Sequence, residues 1–408
     1  MRTGTKAVLS VQHAIAMFGA TVLVPYLTGL NPSTALLTAG IGTLLFHFVT
    51  GMKVPIFLGS SFAFIPVIQM VSKEFGMAYA LGGIVAAGLV YVVVALIVRF
   101  AGHRFFRILF PPVVTGSVIM VIGLTLSPVA IDMASQNWTI AMVVFLIAAL
   151  TSLAFRGFLQ MLPILIAVSA GYVISLVAGI VDFTPVASAA WIGVPALTLP
   201  AFRWEAIAII APVAVVTLIE HWGDINANGA VVGKDFVKDP GLWRTILGDG
   251  LATSLAGCLG GPANTTYSEN TATLSLTRVY DPAILRGAAV FALALAFLGK
   301  VGGVIQSIPV PVMGGISILL FGMIASVGVS TLFRGADMNV TRNRIIAAAV
   351  LVFGLSSVIV PIGPFKFAGM SLATLLGAGL NLILPREVEL EESVPSDKVD
   401  RVHAPAKA

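Results

Sequence analysis

The sequence predicts an all-α polytopic membrane protein, and three observations lead there. Of its 408 residues 58% are hydrophobic and only 10% charged, with a mean hydropathy of +1.02. That is too apolar for a water-soluble fold and too evenly apolar for a soluble domain with one anchor. Apolar runs close to the ~20 residues that cross ~30 Å of hydrocarbon recur along the whole chain, whereas strand-like alternation does not, so helices are favoured over a barrel. Lysine and arginine collect in the short loops between those runs. A net charge of +5 and a pI near 9.4 do not therefore point to nucleic acid, because membrane topology accounts for the basic residues.

The first run, residues 8–30, follows Arg2 and Lys6 as a signal peptide would. It contains Gln12, His13 and Pro25 and lacks a clear small-residue cleavage site, so it reads as a retained span. Further spans are placed at 32–50, 62–72, 76–99, 110–131, 138–155, 159–181, 205–223, 242–259, 268–277, 283–301, 311–333, 343–360 and 365–384. That makes about fourteen, and 62–72 and 268–277 are too short to cross alone. An even count puts both termini on one side. With the termini in the cytoplasm, only Lys73, Arg203, Lys300 and Lys366 of the 23 basic residues fall outside, the split expected of an inner-membrane protein. The loop Asp182 to Arg203 is then external, with Trp191 and Trp204 suited to the headgroup level. The segment 385–408 has no apolar periodicity and is expected to be a disordered cytoplasmic tail. The single cysteine, Cys258, permits no internal disulfide or cysteine metal cluster and reads as a small packing residue. His47 and His103 fall near the inner surface and read as solvated.

Sliding the chain against itself aligns Pro112 with Pro311, Gly116 with Gly315 and Gly123 with Gly322, each copy in the fifth of seven spans. Seven is odd, so the two sets have opposite topology, the inverted-repeat plan of many secondary transporters. The short spans fall where that plan expects them. Pro55 to Phe62 precedes one and Gly260 to Tyr267 the other, each carrying proline, glycine and hydroxyl residues suited to extended backbone at membrane depth. Each stretch leads into a half-helix whose N-terminal N–H groups face the midplane, the best pointer to a substrate site.

Acids are costly inside such a chain unless they have a task. Glu220 and Asp224 are four apart at the end of a span, hence on one helical face, and Glu269 follows the second break. Asp224 also admits a plain reading as a loop-edge carboxylate, Glu220 as a span-end residue reaching for water, and Glu269 as an acid favoured by the helix dipole. An acid held away from water binds protons more readily, as a proton-coupled carrier requires. A carboxylate also accepts parallel N–H bonds while half-helix N–H groups serve carbonyls, so the donor and acceptor set suits a flat, neutral, polar heterocycle better than an anion. His13 either orients a carboxylate or bonds a backbone carbonyl, and His221 reads as structural. No Ser-His-Asp set, metal cluster or phosphate loop is recognisable, so neither an enzyme nor a cofactor is expected.

Gln12 to Thr21, Gly59-Ser60-Ser61-Phe62-Ala63-Phe64, Glu220-His221 with Gly223, Asn264 to Tyr267 with Glu269-Asn270, and Thr277-Arg278-Val279-Tyr280 together resemble the nucleobase-ascorbate transporter family, or nucleobase-cation symporter type 2. The resemblance runs to about residue 384 and is strongest to the bacterial uracil permeases of that family. It implies a 7+7 inverted repeat in which residues 1–104 and 205–304 form a core domain, and 105–204 and 305–384 a gate domain that pairs two copies into a homodimer. It further implies that Glu220 and Glu269 bind the base, that backbone groups of Phe62, Tyr267 and Ser268 complete the cradle, that Ala20 lies nearby, and that Glu220, Asp224, Glu269 and His13 serve proton coupling. Two positions depart from the pattern. Ala272 stands where the signature has glycine, a methyl expected to tighten contact between domains. Asp224 stands where uracil permeases tend to carry histidine and the purine branch often has aspartate. The expected activity is uracil–proton symport by an elevator-like movement, with a xanthine or urate carrier as the alternative and an anion carrier or channel of the same fold as a third reading.

Overall fold

A computed structural model describes residues 3–102, 108–155, 162–356, 358–363 and 365–385. His103, Arg104, Arg107, Arg156 and the expected tail from residue 386 lie outside them. The described chain is predominantly helical. Its first half comprises α1 (Thr3–Thr28), α2 (Pro32–Val49), strand β1 (Leu58–Ser60), α3 (Ile65–Glu74), α4 (Met77–Ala101), α5 (Pro112–Ser135), α6 (Trp138–Ala154), α7 (Pro163–Val177) and the short α8 (Thr184–Ser188). Then come α9 (Trp204–Ile210), α10 (Val213–Val232), α11 (Leu242–Leu259), β2 (Asn264–Thr266), α12 (Ser268–Thr277), α13 (Pro282–Ala296), α14 (Gly299–Gln306), α15 (Val310–Gly335), α16 (Thr341–Leu355), strands β3 (Ile359–Ile362) and β4 (Phe365–Ala368), and α17 (Gly369–Ile383).

Local chemistry sets many of these ends. Asn31 caps α2 by accepting from the Ser33 and Thr34 N–H groups with Pro32 at the first turn, and Asn137 and Asp281 cap α6 and α13 in the same way. Gly233 and Gly260, both left-handed, close α10 and α11. Among the described residues six helical stretches are long and apolar enough to cross a membrane: 4–28, 32–49, 77–101, 112–135, 204–232 and 310–335. α13 and α14 would form a seventh but are bent by 81° between Ala296 and Gly299.

Packing is most extensive between α5 and α15, then between α4 and α11, with α2 against α11 and α13. The repeated glycines explain the first pair. A side chain at Gly116 would strike the backbone of Gly328 and Leu332, and one at Gly123 the backbone at Phe321 and Ala325, so both are seats for the facing helix. Gly315 seats α6 at Ala141, while Gly322 faces open space.

Several boundaries differ from the expectation. The span at 343–360 ends as a helix at Leu355, and residues 359–368 form the antiparallel hairpin β3–β4, turning at the left-handed Gly363. Val358-Ile359-Val360-Pro361 is β-branched and then proline, a run that disfavours helix. The span at 205–223 continues to Val232 and is interrupted at Ala211-Pro212, where proline lacks the N–H a continuous helix needs. His47 is fully buried rather than solvated, its Nε2 2.9 Å from the Ile56 carbonyl oxygen. Cys258 is exposed rather than packed.

Candidate functional site

The two extended stretches meet. β1 and β2 pair antiparallel with Leu58 opposite Thr266, Gly59 opposite Thr265 and Ser60 opposite Asn264, all six buried. Ser61 N–H donates to the Ala263 carbonyl at 2.8 Å and Tyr267 N–H to the Phe57 carbonyl at 3.0 Å, extending the ladder. Backbone left unpaired at this depth would cost several kcal/mol per group, and neighbouring side chains satisfy what the ladder does not. Thr43 both accepts from Leu58 N–H and donates to its carbonyl, Thr253 donates to the Asn264 carbonyl, and Asn228 donates to the Pro55 carbonyl. Gly59 is required here, because a Cβ at that position would fall on the Tyr267 ring. That ring lies across the crossing, its hydroxyl 3.0 Å from the Ser60 carbonyl oxygen.

From the crossing two half-helices diverge. Residues 62–64 make a 3-10 turn into α3, and Tyr267 leads into α12; each helix has ten residues, half a membrane thickness at ~1.5 Å per residue. Ser268 and Glu269 thus occupy the first turn of α12, Ser268 exposed and Glu269 half-buried. The other wall is α10, where positions 220, 224 and 228 share one face. Asp224 Oδ2 accepts from Thr266 Oγ1 at 2.6 Å, Asn228 donates to Thr271, and Thr265, whose hydroxyl has no other partner among the described residues, faces Glu220. Glu220, itself half-buried, lies within electrostatic reach of Asp224 and Glu269. Three carboxylates and the first turn of a half-helix therefore converge where the broken segments cross.

The remaining expected residues fall around this point. Phe62 is buried with its ring edge-on to Phe321 of α15, centroids 5.9 Å apart. Ala20 is buried in α1 beside Thr21, whose carbonyl accepts from Ser60 Oγ at 3.0 Å. Among the described residues His13 bonds neither a carboxylate nor a backbone carbonyl through its ring. Its Nδ1 and its own carbonyl oxygen both receive the Asn270 side-chain amide, at 3.1 and 3.0 Å, so α1 is fastened to the first turn of α12. Ala272 is exposed, so its methyl tightens no contact among the described residues.

One acid escaped the sequence reading. Asp249 of α11 is fully buried and holds His221 Nδ1 at 2.8 Å, with Thr217 and the Tyr91 hydroxyl close by. Positions 217 and 221 form a second polar stripe on α10, turned toward α4 and α11. The signal was present: Gly248-Asp249-Gly250 puts an acid inside an apolar span, the same anomaly that drew attention to Glu220.

The model of a family described as the Permease family (Xan_ur_permease) matches residues 4–363. A probable uracil permease of Haemophilus influenzae is 45% identical over 93% of this chain and 94% of its own. The uracil permease of Bacillus caldolyticus is 45% identical over 95% and 93%, and that of Escherichia coli K12 is 43% identical over 94% of each. Among solved structures, the transmembrane domain of a cyanobacterium bicarbonate transporter, BicA, superposes with a TM-score of 0.65 at 15% identity, covering 92% of this chain and 96% of its own. The anion transporter SLC26A9 does so with a TM-score of 0.68 at 9% identity, covering 92% of this chain and 64% of its own. Those two share the fold.

Proposed function

Because the chain belongs to the Permease family, we propose that it imports uracil across the cytoplasmic membrane together with protons. The observation that carries this reading is the convergence of Glu220, Asp224 and Glu269 on the crossing of β1 and β2. Uracil presents ring N–H groups and carbonyls around a flat neutral ring. Glu220 and Glu269 accept the N–H groups; the backbone N–H groups at Phe62, Tyr267 and Ser268 serve the carbonyls or cradle the ring edge. Ala20 fills the floor next to Thr21. Asp224, bonded to Thr266 on the same strand that carries Glu220's neighbour Thr265, is placed to exchange a proton with the binding carboxylates, and His13 holds α12 in register through Asn270. The uracil permeases at 43–45% identity support the choice of base.

Fourteen segments in a 7+7 inverted repeat are the plan behind this site, counting α3 and α12 as half-spans and α13 with α14 as one bent span. Residues 1–104 and 205–304 form the core that carries the base, while 105–204 and 305–384 form the gate, which joins two copies as a homodimer. The dense α5–α15 and α4–α11 pairs support rigid halves, and the core slides against the gate to expose the site alternately to each side. The lopsided distribution of lysine and arginine supports cytoplasmic termini.

Asp224 favours a second reading, a carrier of xanthine or urate. Uptake into proteoliposomes with a panel of labelled bases, with and without an inward proton gradient, decides between them. Uracil uptake driven by the gradient and lost in Glu220→Gln and Glu269→Gln is expected. Wild-type, pH-dependent uptake in both variants overturns the site, and competition by unlabelled xanthine at equal concentration favours the purine reading. An anion carrier would have to bring its substrate against three carboxylates, so chloride or sulfate currents without nucleobase would reject the proposal outright.

A further inference from the structure

On the membrane face away from Trp191, the end of α4 meets the start of α11. Arg99 and Arg244 lie over the same Trp243 indole, their guanidinium carbons 4.7 and 5.2 Å from ring centroids. Two cations on one ring repel each other, and neither has a hydrogen bond or an ion pair among the described residues. The acids nearby are engaged elsewhere: Asp239 pairs with Lys53 and Asp235 with Lys238. Arg244 also sits in the first turn of α11, where a cation is disfavoured by the helix dipole. Each of these costs is relieved by an anion held between the two guanidinium groups.

The surroundings select the kind of anion. Around Arg99, α4 exposes Val93, Leu96, Ile97 and Phe100, the last 84% exposed; α2 exposes Phe48, and the turn that follows it exposes Met52. An apolar surface that runs up to a basic, indole-bearing rim is where acyl chains end and headgroups begin. From this arrangement we infer that Arg99, Trp243 and Arg244 form a binding site for the phosphate of an anionic phospholipid, its acyl chains lying along α4. The guanidinium forks match the phosphate oxygens, and the indole bears on the glycerol region. The site tethers the α4–α11 pair to the leaflet surface, well away from the carboxylates.

The test compares the full chain in nanodiscs of phosphatidylglycerol mixed into phosphatidylcholine, in phosphatidylcholine alone, and in phosphatidylcholine with added inorganic phosphate, reading retained lipid by native mass spectrometry. One phosphatidylglycerol per chain is expected to survive release. In Arg99→Gln/Arg244→Gln its retention is expected to weaken about thirtyfold, each charge being worth roughly a factor of five at an anionic surface. Equal retention by the variant overturns the site, and displacement of the lipid by inorganic phosphate at millimolar levels reassigns it to a soluble anion. A headgroup-photoreactive phosphatidylglycerol applied to the wild-type chain needs no variant. Crosslinks at residues 241–245 and 96–101 support the inference, and crosslinks confined elsewhere reject it.

Discussion

The two broken segments have nearly the same backbone and quite different side chains. Each is a three-residue buried strand followed by a ten-residue half-helix, and each supplies half of one ladder. The first break offers Ser60, Ser61, Phe62, Ala63 and Phe64: the Ser60 hydroxyl bonded to Thr21 of α1, and the rings buried, that of Phe62 against Phe321. The second offers Tyr267, Ser268, Glu269 and Asn270, with Asp224 bonded to Thr266. The repeated backbone solves a problem common to both halves, how to end a helix inside hydrocarbon without orphaned amides. The side chains need not repeat, so the polar chemistry has collected on one copy and the apolar closure on the other.

Substitutions can pull this comparison apart. The largest effect is expected from removing charge on the polar side, where Glu269→Gln should lower uracil uptake by about two orders of magnitude, the scale of a lost charge-assisted bond in a desolvated site. The Asn270-to-His13 fastening stays intact in that variant, so thermal stability should hold. On the apolar side Gly59→Val should do the reverse in kind. Its side chain would displace the Tyr267 ring, costing about 1–3 kcal/mol in detergent melts and lowering uptake with it, because both copies share the ladder. A melt unchanged from wild type would mean the strands are not held together as described. A hydroxyl pair sharpens the contrast further. Thr266→Val should cost about 1–3 kcal/mol by leaving the Asp224 carboxylate without its donor, whereas Ser61→Ala, whose hydroxyl has no partner among the described residues, should be within about 0.5 kcal/mol of wild type.

The smallest effect lies outside the breaks, where Asp281 caps α13 and pairs with Lys6 at 2.7 Å. The Lys6 ammonium, then the Ala283 N–H, hold its carboxyl below the ordinary value of 3.8. A lowered carboxylate stabilises the fold above that ordinary value and ceases to do so as pH falls through the lowered one. Both partners are more than a third exposed, so solvent limits the gain. Asp281→Ala should lower stability by about 0.5–1 kcal/mol at pH 7, chiefly through the lost cap, and the gap should narrow as pH falls through the lowered value. A gap constant across that range would show that the charge plays no part.

Much of this arrangement was legible before any coordinates. The breaks announced themselves as short spans led in by proline, glycine and hydroxyls, and Glu220, Asp224 and Glu269 stood out because acids are scarce in so apolar a chain. What escaped was pairwise chemistry across long separations. Hydropathy places His47 near a span end but says nothing of the Ile56 carbonyl that needs a donor there. Nothing local to Gln12-His13 names Asn270 as its partner, and nothing within the 242–259 span names His221 as the partner that Asp249 holds. The spans at 343–360 and 365–384 run into the strands at 359–362 and 365–368 because an apolar window registers hydrophobicity and not the β-branched order within it. Cys258 shows the opposite limit: in lipid an apolar residue gains little by packing inward, so composition cannot tell a buried face from an exposed one.

The ladder between β1 and β2 also governs the order in which the protein can be made. Every backbone bond across it joins segments separated by half the chain. While the ribosome is still delivering α4 to α11, the first break has only side-chain partners such as Thr43, and its N–H and carbonyl groups wait for a strand not yet synthesised. The candidate site thus stays incomplete until the second break has been made. A chain that stalls before residue 264 presents an open polar seam within the bilayer, a distinctive signal by which membrane quality control can recognise it as unfinished.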